Sequence, residues 1–214
     1  MVSQMQTNVV FPRETVIIRN RMDDTVPGNL ISRARRGSPE ATSALYGRYY
    51  QSIYRYFYYR CGDPQTAEDL TADVFLKMVE AIPAYHIEAT PFQAWLFQIA
   101  RNLAIDHFRR TSAHPVAPIP ENMDTPDPDV ESTFEIHLNS HRLAEALSQI
   151  EENQRDVLLM RFIEGMPISE AARVLHKTED AIKALQRRGL TALRQLLEAR
   201  ETQETQETKE VTDD

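Results

Sequence analysis

Cysteine is almost absent from this 214-residue chain: Cys61 stands alone, which excludes a disulfide framework within the chain. A reducing compartment fits that usage. Glycine is scarce as well, with 6 residues. No G-x-G-x-x-G, P-loop or G-x-S-x-G occurs, so the common phosphate cradles and the nucleophile elbow are missing. No run approaches the roughly 18 apolar residues of a membrane span. The first residues lack the apolar core and small-residue cleavage site of a signal peptide. The expectation is a cytoplasmic protein without membrane insertion. An excess of positive charge is also lacking: 24 Lys+Arg stand against 32 Asp+Glu, a net charge of −8. Taken whole, that balance argues against a nucleic-acid binder. What is present is an ordinary globular composition, 42% hydrophobic. The length suits one or two domains with a core that needs no staples.

The charge is unevenly placed. Residues 1–28 carry 3 basic and 3 acidic groups, and residues 29–110 carry 10 and 8. Residues 111–140 carry no basic and 6 acidic groups, residues 141–199 carry 9 and 9, and residues 200–214 carry 2 and 6. The two strongly acidic segments are those least suited to folding. Residues 111–140 hold five of the twelve prolines between Pro115 and Pro128, and read as a flexible, partly polyproline-like linker. Residues 200–214 repeat Glu-Thr-Gln with one apolar residue, Val211, and read as a disordered tail; a few further turns of the preceding helix are the plain alternative. Residues 1–28 form an unassigned extension with two apolar patches, Val9–Phe11 and Val16–Ile18.

Helix signals dominate residues 29–110. Ser38-Pro39 and Asp63-Pro64 each pair an N-cap with proline at the first helical position. Leu45, Tyr49, Ile53 and Tyr56 recur at helical spacing after the first; Ala67, Leu70, Val74, Met78 and Ala81 do so after the second. Thr90-Pro91-Phe92-Gln93 has the form of a capping box, followed by Phe92, Leu96, Ile99 and Leu103. Three such helices predict a bundle. Seven of eight tyrosines lie in Tyr46–Tyr59 among Arg48, Arg55 and Arg60. Packing within the bundle explains most of them better than base stacking does. The third helix carries Arg101, Asn102, Asp106, His107, Arg109 and Arg110 opposite its apolar stripe. A solvated face is one reading of that set, and contact with bases and phosphates is the other.

In residues 141–199, Leu143, Leu147 and Ile150 mark one helix; Val157, Leu158, Phe162 and Ile163 mark another that stops at Gly165. Ser169–Leu175, the turn His176-Lys177-Thr178 and Glu179–Leu197 then outline a helix-turn-helix. On the last helix Ile182, Leu185, Leu193 and Leu196 share a stripe, while Lys183, Arg187 and Arg194 share another. No acid occurs from Ala181 to Leu197. Such a helix suits a major groove, with Gln186 available for polar contact. A merely soluble surface helix is the alternative. His176 stands at the turn, a residue type that tolerates positive φ. Gly189 lies mid-helix, where it costs about 1 kcal/mol relative to alanine. His137 and His141 have i, i+4 metal spacing, but no Glu of a metalloprotease motif lies between them. No catalytic constellation, metal site or cofactor site is expected, so the chain reads as no enzyme.

Two blocks carry a family resemblance. LYGRYYQSIYRYFYYRCGDPQTAEDLTADVFLKMVEAI through PFQAWLFQIARNLAIDHFRR resembles region two of the extracytoplasmic-function (ECF) sigma factors of bacterial RNA polymerase. LAEALSQIEENQRDVLLMRFIEGMPISEAARVLHKTEDAIKALQRRGLTALRQLL is similar to their region four. The resemblance implies an all-α protein of two helical domains, 29–110 and 141–199, joined by the 111–140 linker. It implies a subunit that binds core RNA polymerase through the beta and beta-prime subunits, recognises promoter DNA and assists melting. An anti-sigma factor is a candidate further partner.

Residue by residue, the resemblance places Asp69, Leu70, Asp73, Val74, Phe75 and Lys77 in the polymerase-docking segment. Tyr85 to Pro91 match the loop that captures a flipped minus-ten base. Tyr85, His86 and Trp95 there, with Arg101, Asn102, Asp106, Arg109 and Arg110, form the expected minus-ten surface. Thr178, Glu179, Lys183, Gln186, Arg187, Arg188 and Arg194 form the expected minus-thirty-five surface. The linker matches a segment that threads near the polymerase active site. Two rivals differ in prediction: a stand-alone helix-turn-helix regulator would bind duplex without polymerase, and a helical enzyme using His137 and His141 would hold stoichiometric metal.

Overall fold

A computed structural model describes residues 28–86, 90–113 and 141–212. The N-terminal extension, the linker from 114 onward and His137 lie outside the described residues. Every regular element among those described is helical.

The chain begins with α1, Gly28–Arg35, which packs through Ile31 and Ala34. Its eight residues escaped the sequence reading, because two buried positions are too few to set a period. Helix α2, Pro39–Cys61, starts where Ser38 accepts from the backbone N–H of Ala41 and ends at Gly62, whose φ of 73° only glycine adopts at little cost. Helix α3, Pro64–Ala81, starts on Asp63, which accepts from the Thr66 N–H. The predicted caps at Ser38 and Asp63 are therefore present. A short 3-10 turn, Ile82–Ala84, leads toward α4, Phe92–Ala113. The helix α4 runs three residues into the expected linker, and its last turn includes Thr111, whose hydroxyl donates to the His107 carbonyl at 2.6 Å. A hydroxyl bonding back into the helix lets threonine continue it.

Helix α5 covers 141–148. Helix α6, Glu152–Leu158, runs directly into a π-turn, Leu159–Ile163, that ends at Gly165 with φ 66°. The π-turn corrects the expected apolar stripe: an extra residue per turn rotates Phe162 outward, where it is 48% exposed, while Leu159 and Met160 turn inward. Helix α7, Ile168–Leu175, and helix α8, Glu179–Thr212, flank His176 at φ 51°. The expected helix-turn-helix is present, capped by the Thr178 hydroxyl on the Ala181 N–H. The tail reading is corrected: α8 continues to Thr212, the alternative of added helical turns taken almost to the end. Glutamate, glutamine and alanine are good helix formers, and threonine costs only a few tenths of a kcal/mol each.

Gly189 is explained by packing. A Cβ there would sit 3.2 Å from Leu158 Cγ and Cδ1 and 3.3 Å from Gln154 Cβ. The glycine lets α8 cross α6 closely. The two helical units also pack on each other, and one apolar cluster runs from Ile31 to Leu185. Helix α4 lies against α7, and α2 against the π-turn.

Candidate polymerase and nucleic-acid interfaces

The α3 segment divides by face. Leu70, Val74 and Phe75 are buried, with Val74 fully so. They anchor the helix and cannot offer their side chains to a partner in this conformation. Asp69, Asp73 and Lys77 are exposed. Beside them Leu76 is 61% exposed and Val79 48%, and Tyr46 of α2 is exposed too. An exposed apolar pair on a charged helix face is the kind of patch that marks a protein interface. Sequence reasoning assigned neither residue, because position 76 abuts the buried run Val74-Phe75. Tyr46 packs against Phe75 with the rings tilted by 55° and their centroids 4.6 Å apart. The patch borders a groove of about 520 Å³ between α1, α2 and α3, lined by Ala34, Pro39, Tyr46, Val79 and Ile82.

The tyrosines separate as expected into packing and half-exposed positions. Tyr49, Tyr56 and Tyr59 are buried. Tyr50, Tyr54 and Tyr58 form a stacked ladder along α2, with centroids 6.2 Å apart at each step. Burial raises the phenol pKa of all three.

The minus-ten candidates fall into three groups. Tyr85 is buried, with its hydroxyl donating to the Thr90 carbonyl, and its ring meets Trp95 at 4.7 Å and Phe92 at 5.6 Å. Packed in this way, it is not free to stack on a base. Trp95 is half-buried above it and His86 is exposed; residues 87–89 lie outside the described set. Asn102, Asp106, Arg109 and Arg110 are exposed on α4. Asp106 pairs with Arg109 at 3.1 Å. Arg101 differs from its neighbours. Its Nε donates to Asp156 at 3.0 Å and its Nη2 to Asn153 at 3.3 Å, so it faces α6.

That contact belongs to a buried polar cluster. Asp156, fully buried on α6, accepts from Arg101, from the Tyr56 hydroxyl at 3.0 Å and from Arg60 Nη1. Arg60, also buried, bonds Glu152 through Nη2 and lies over Phe108, 5.3 Å from the ring centroid. Burial opposes the Arg60 charge, but the carboxylates of Asp156 and Glu152 hold its pKa above the ordinary value. Burial and the Asp156 charge push the Tyr56 hydroxyl far up, so it remains a donor. Nearby, Arg55 pairs with Glu164 at 3.2 Å. Burial raises the Glu164 carboxyl, and Arg55 opposes that. Sequence patterning missed Asp156 because it precedes the apolar run Val157–Met160 and looks like a surface acid.

On α8, Glu179, Lys183, Arg187, Arg188 and Arg194 are exposed. Thr178 caps the helix, and Lys183 pairs with Asp180 at 3.0 Å. Gln186 is half-buried and accepts from Arg161 Nε at 3.4 Å, a partner that competes with any base edge. The exposed strip Lys183, Arg187 and Arg194 is opposite the buried Ile182 and Leu185, and the exposed Arg188 lies outside that strip. Of the candidate metal pair, His141 instead meets Glu145 at 3.6 Å.

Residues 45–114 match the family model Sigma-70 region 2, and residues 146–195 match Sigma-70, region 4. The ECF RNA polymerase sigma factor BldN of Streptomyces coelicolor is 36% identical over 170 residues, covering 78% of this chain and 64% of BldN. This chain thus spans just under two thirds of that relative. The ECF RNA polymerase sigma factor SigX of Bacillus subtilis is 32% identical over 167 residues, covering 74% of this chain and 84% of SigX. Two solved structures share the fold. CnrH, in complex with the cytosolic domain of CnrY, has a TM-score of 0.63 at 24% identity, covering 80% of this chain and 96% of CnrH. The sigma factor RpoE, in complex with the anti-sigma factor NepR from Bartonella quintana, has a TM-score of 0.57 at 19% identity, covering 73% and 96%. With both regions matched in order and two curated relatives above 30% identity, the chain belongs to the ECF sigma factors of bacterial RNA polymerase.

Proposed function

We propose that this sigma factor joins core RNA polymerase through α3, reads the minus-thirty-five element with α8 and meets the minus-ten element with α4. The observation that carries the reading is the exposed cationic strip Lys183, Arg187 and Arg194, in a run from Ala181 to Leu197 that holds no acid, on a helix held by a helix-turn-helix. Cations without interspersed acids suit phosphate contact and guanine readout. On α3, Asp69, Asp73 and Lys77, with the apolar Leu76 and Val79, form the docking face for the beta-prime and beta subunits. On α4, Asn102, Arg109 and Arg110 face the DNA, with His86 and Trp95 at the base-capturing loop. Leu70, Val74, Phe75 and Tyr85 support these faces from beneath. The chain contributes binding and DNA opening with no chemistry of its own, and it works in the cytoplasm where the polymerase is. An anti-sigma protein is a candidate regulator, since both structural neighbours described above were solved with one bound partner each.

The test is transcription with purified core polymerase, on promoters recovered by sequencing transcripts after overproduction of this chain. Open complexes that form only when chain and core are combined are expected. Tight duplex binding by the chain alone, with no core dependence, would instead favour a stand-alone regulator.

A further inference from the structure

The cluster around Asp156 joins parts of the chain that the proposed function needs apart. Arginines of the first unit, Arg55, Arg60 and Arg101, meet acids of the second, Glu164, Glu152 and Asp156. Gln98 adds a bond to the Arg173 carbonyl at 3.1 Å. Elements named minus-ten and minus-thirty-five lie 25 positions apart, about 85 Å along a duplex at 3.4 Å per base pair. A compact chain of this length has a radius of gyration of about 17 Å. The closed chain cannot touch both elements, so the two units must separate. The covalent path from Ala113 to His141 permits it, reaching about 90 Å when fully extended.

Separation removes Asp156 from the side chains that converge on it. Arg60 and Arg101 place guanidinium nitrogens on the two oxygens of one carboxylate, with the Tyr56 hydroxyl alongside. Two cations aimed at one point repel each other once the anion leaves. Arg60 Nε, buried, has no hydrogen-bond partner even in the closed chain, so the cluster holds a spare donor. Arg60 also stacks on Phe108 of α4, the helix whose exposed face carries Asn102, Arg109 and Arg110. Planar guanidinium forks of this kind match phosphate oxygens as well as carboxylate oxygens.

We propose that Arg60, Arg101 and Tyr56 form an anion site that holds the Asp156 carboxylate in the free chain and a backbone phosphate of promoter DNA in the open one. The Asp156 carboxylate is the stand-in for that phosphate. Releasing region four and gripping the DNA backbone beside the minus-ten element are then one exchange of anions. Arg60 and Tyr56, on α2, thereby join the DNA-contacting set although they lie outside the α4 face. This inference rests on the sigma-factor reading above.

The experiment measures holoenzyme affinity for a recovered promoter duplex over a range of salt, with small-angle scattering of the free full-length chain alongside. Each phosphate neutralised contributes about 0.9 to the slope of log affinity against log salt. Arg60→Gln and Arg101→Gln should each reduce the slope by about 1 and enlarge the free chain. Asp156→Asn should enlarge the free chain and leave the slope at its wild-type value. If Arg60→Gln fails to fold, the double variant Arg60→Gln/Asp156→Asn removes both charges of the buried pair, and its slope should fall by the same amount. A slope unchanged by loss of Arg60, in whichever of these variants folds, would overturn the anion site. Loss of wild-type promoter binding by the holoenzyme would overturn the sigma reading instead, so the two failures are separable.

Discussion

Asp63 shows how much one side chain can set. Its carboxylate accepts from the Thr66 N–H at 2.7 Å and fixes the start of α3. The hydrogen bonds to Thr66 pull its pKa below the ordinary aspartate value. A depressed folded pKa means the stabilisation is complete above the ordinary carboxylate range and disappears as pH falls through the folded value. Asp63→Ala should therefore cost about 1 kcal/mol in urea unfolding at pH 7. The gap between variant and wild type should narrow below about pH 4, near the pKa of a free aspartate. A gap constant down to acid pH would contradict the charged-cap account. Gly189 makes the opposite case. Alanine is the better helix former there by about 1 kcal/mol. Even so, Gly189→Ala should lower stability, by about 1 kcal/mol, since an overpacked methyl costs 1–3 kcal/mol and its Cβ would press on Leu158 and Gln154 of α6. A stabilised Gly189→Ala would show that α6 yields. Combining it with Leu158→Ala should recover part of the loss, as residues in contact do not add.

At the scale of elements, α3 separates support from contact. Leu70, Val74 and Phe75 hold it in the bundle, while Leu76 and Val79 project from it. The pair Leu76→Ser and Val79→Ser should leave the melting temperature within about 2 °C, because exposed positions change stability by under 0.5 kcal/mol. The same pair should weaken binding to core polymerase at least about tenfold in a competition assay, as loss of exposed apolar anchors does. Equal binding would remove α3's apolar face from the docking surface. The sequence marked the helix and its caps but not these anchors. A heptad-like stripe identifies one buried face, and an apolar residue one position off that stripe looks like its edge. The π-turn after α6 was likewise illegible. Phe162 fits an α-helical stripe, and only the i to i+5 bond from the Glu164 N–H to the Leu159 carbonyl turns it outward.

For the whole molecule, the net charge of −8 is the sum of unlike parts. The segment 29–110 has two more basic than acidic groups and 141–199 is balanced, while the acids in excess sit in 111–140 and 200–214. With no overall positive field, the chain alone should bind duplex weakly, and the polymerase should supply most of the affinity. A shift assay at physiological salt should show no complex of the free chain with a recovered promoter at concentrations where the holoenzyme binds fully. Comparable binding by the free chain would contradict this. The closed arrangement points the same way, since Arg101 is committed to Asp156.

Local physics was enough to determine the three long helices of residues 29–110, the caps at Ser38 and Asp63, and the helix-turn-helix. Each of these depends on residues within a few positions of one another, and their periods and cap chemistry can be read along the chain. The partners of Arg60, Arg101 and Asp156 could not be read in that way. The two arginines lie 96 and 55 positions from the carboxylate they share, and nothing near any of the three records that distance. Burial of Asp156, the close crossing at Gly189 and the inward turn of Arg101 arise only when α2, α4 and α6 pack together. Tertiary structure alone decided them, because it alone sets which charges leave water and which partner each must then find.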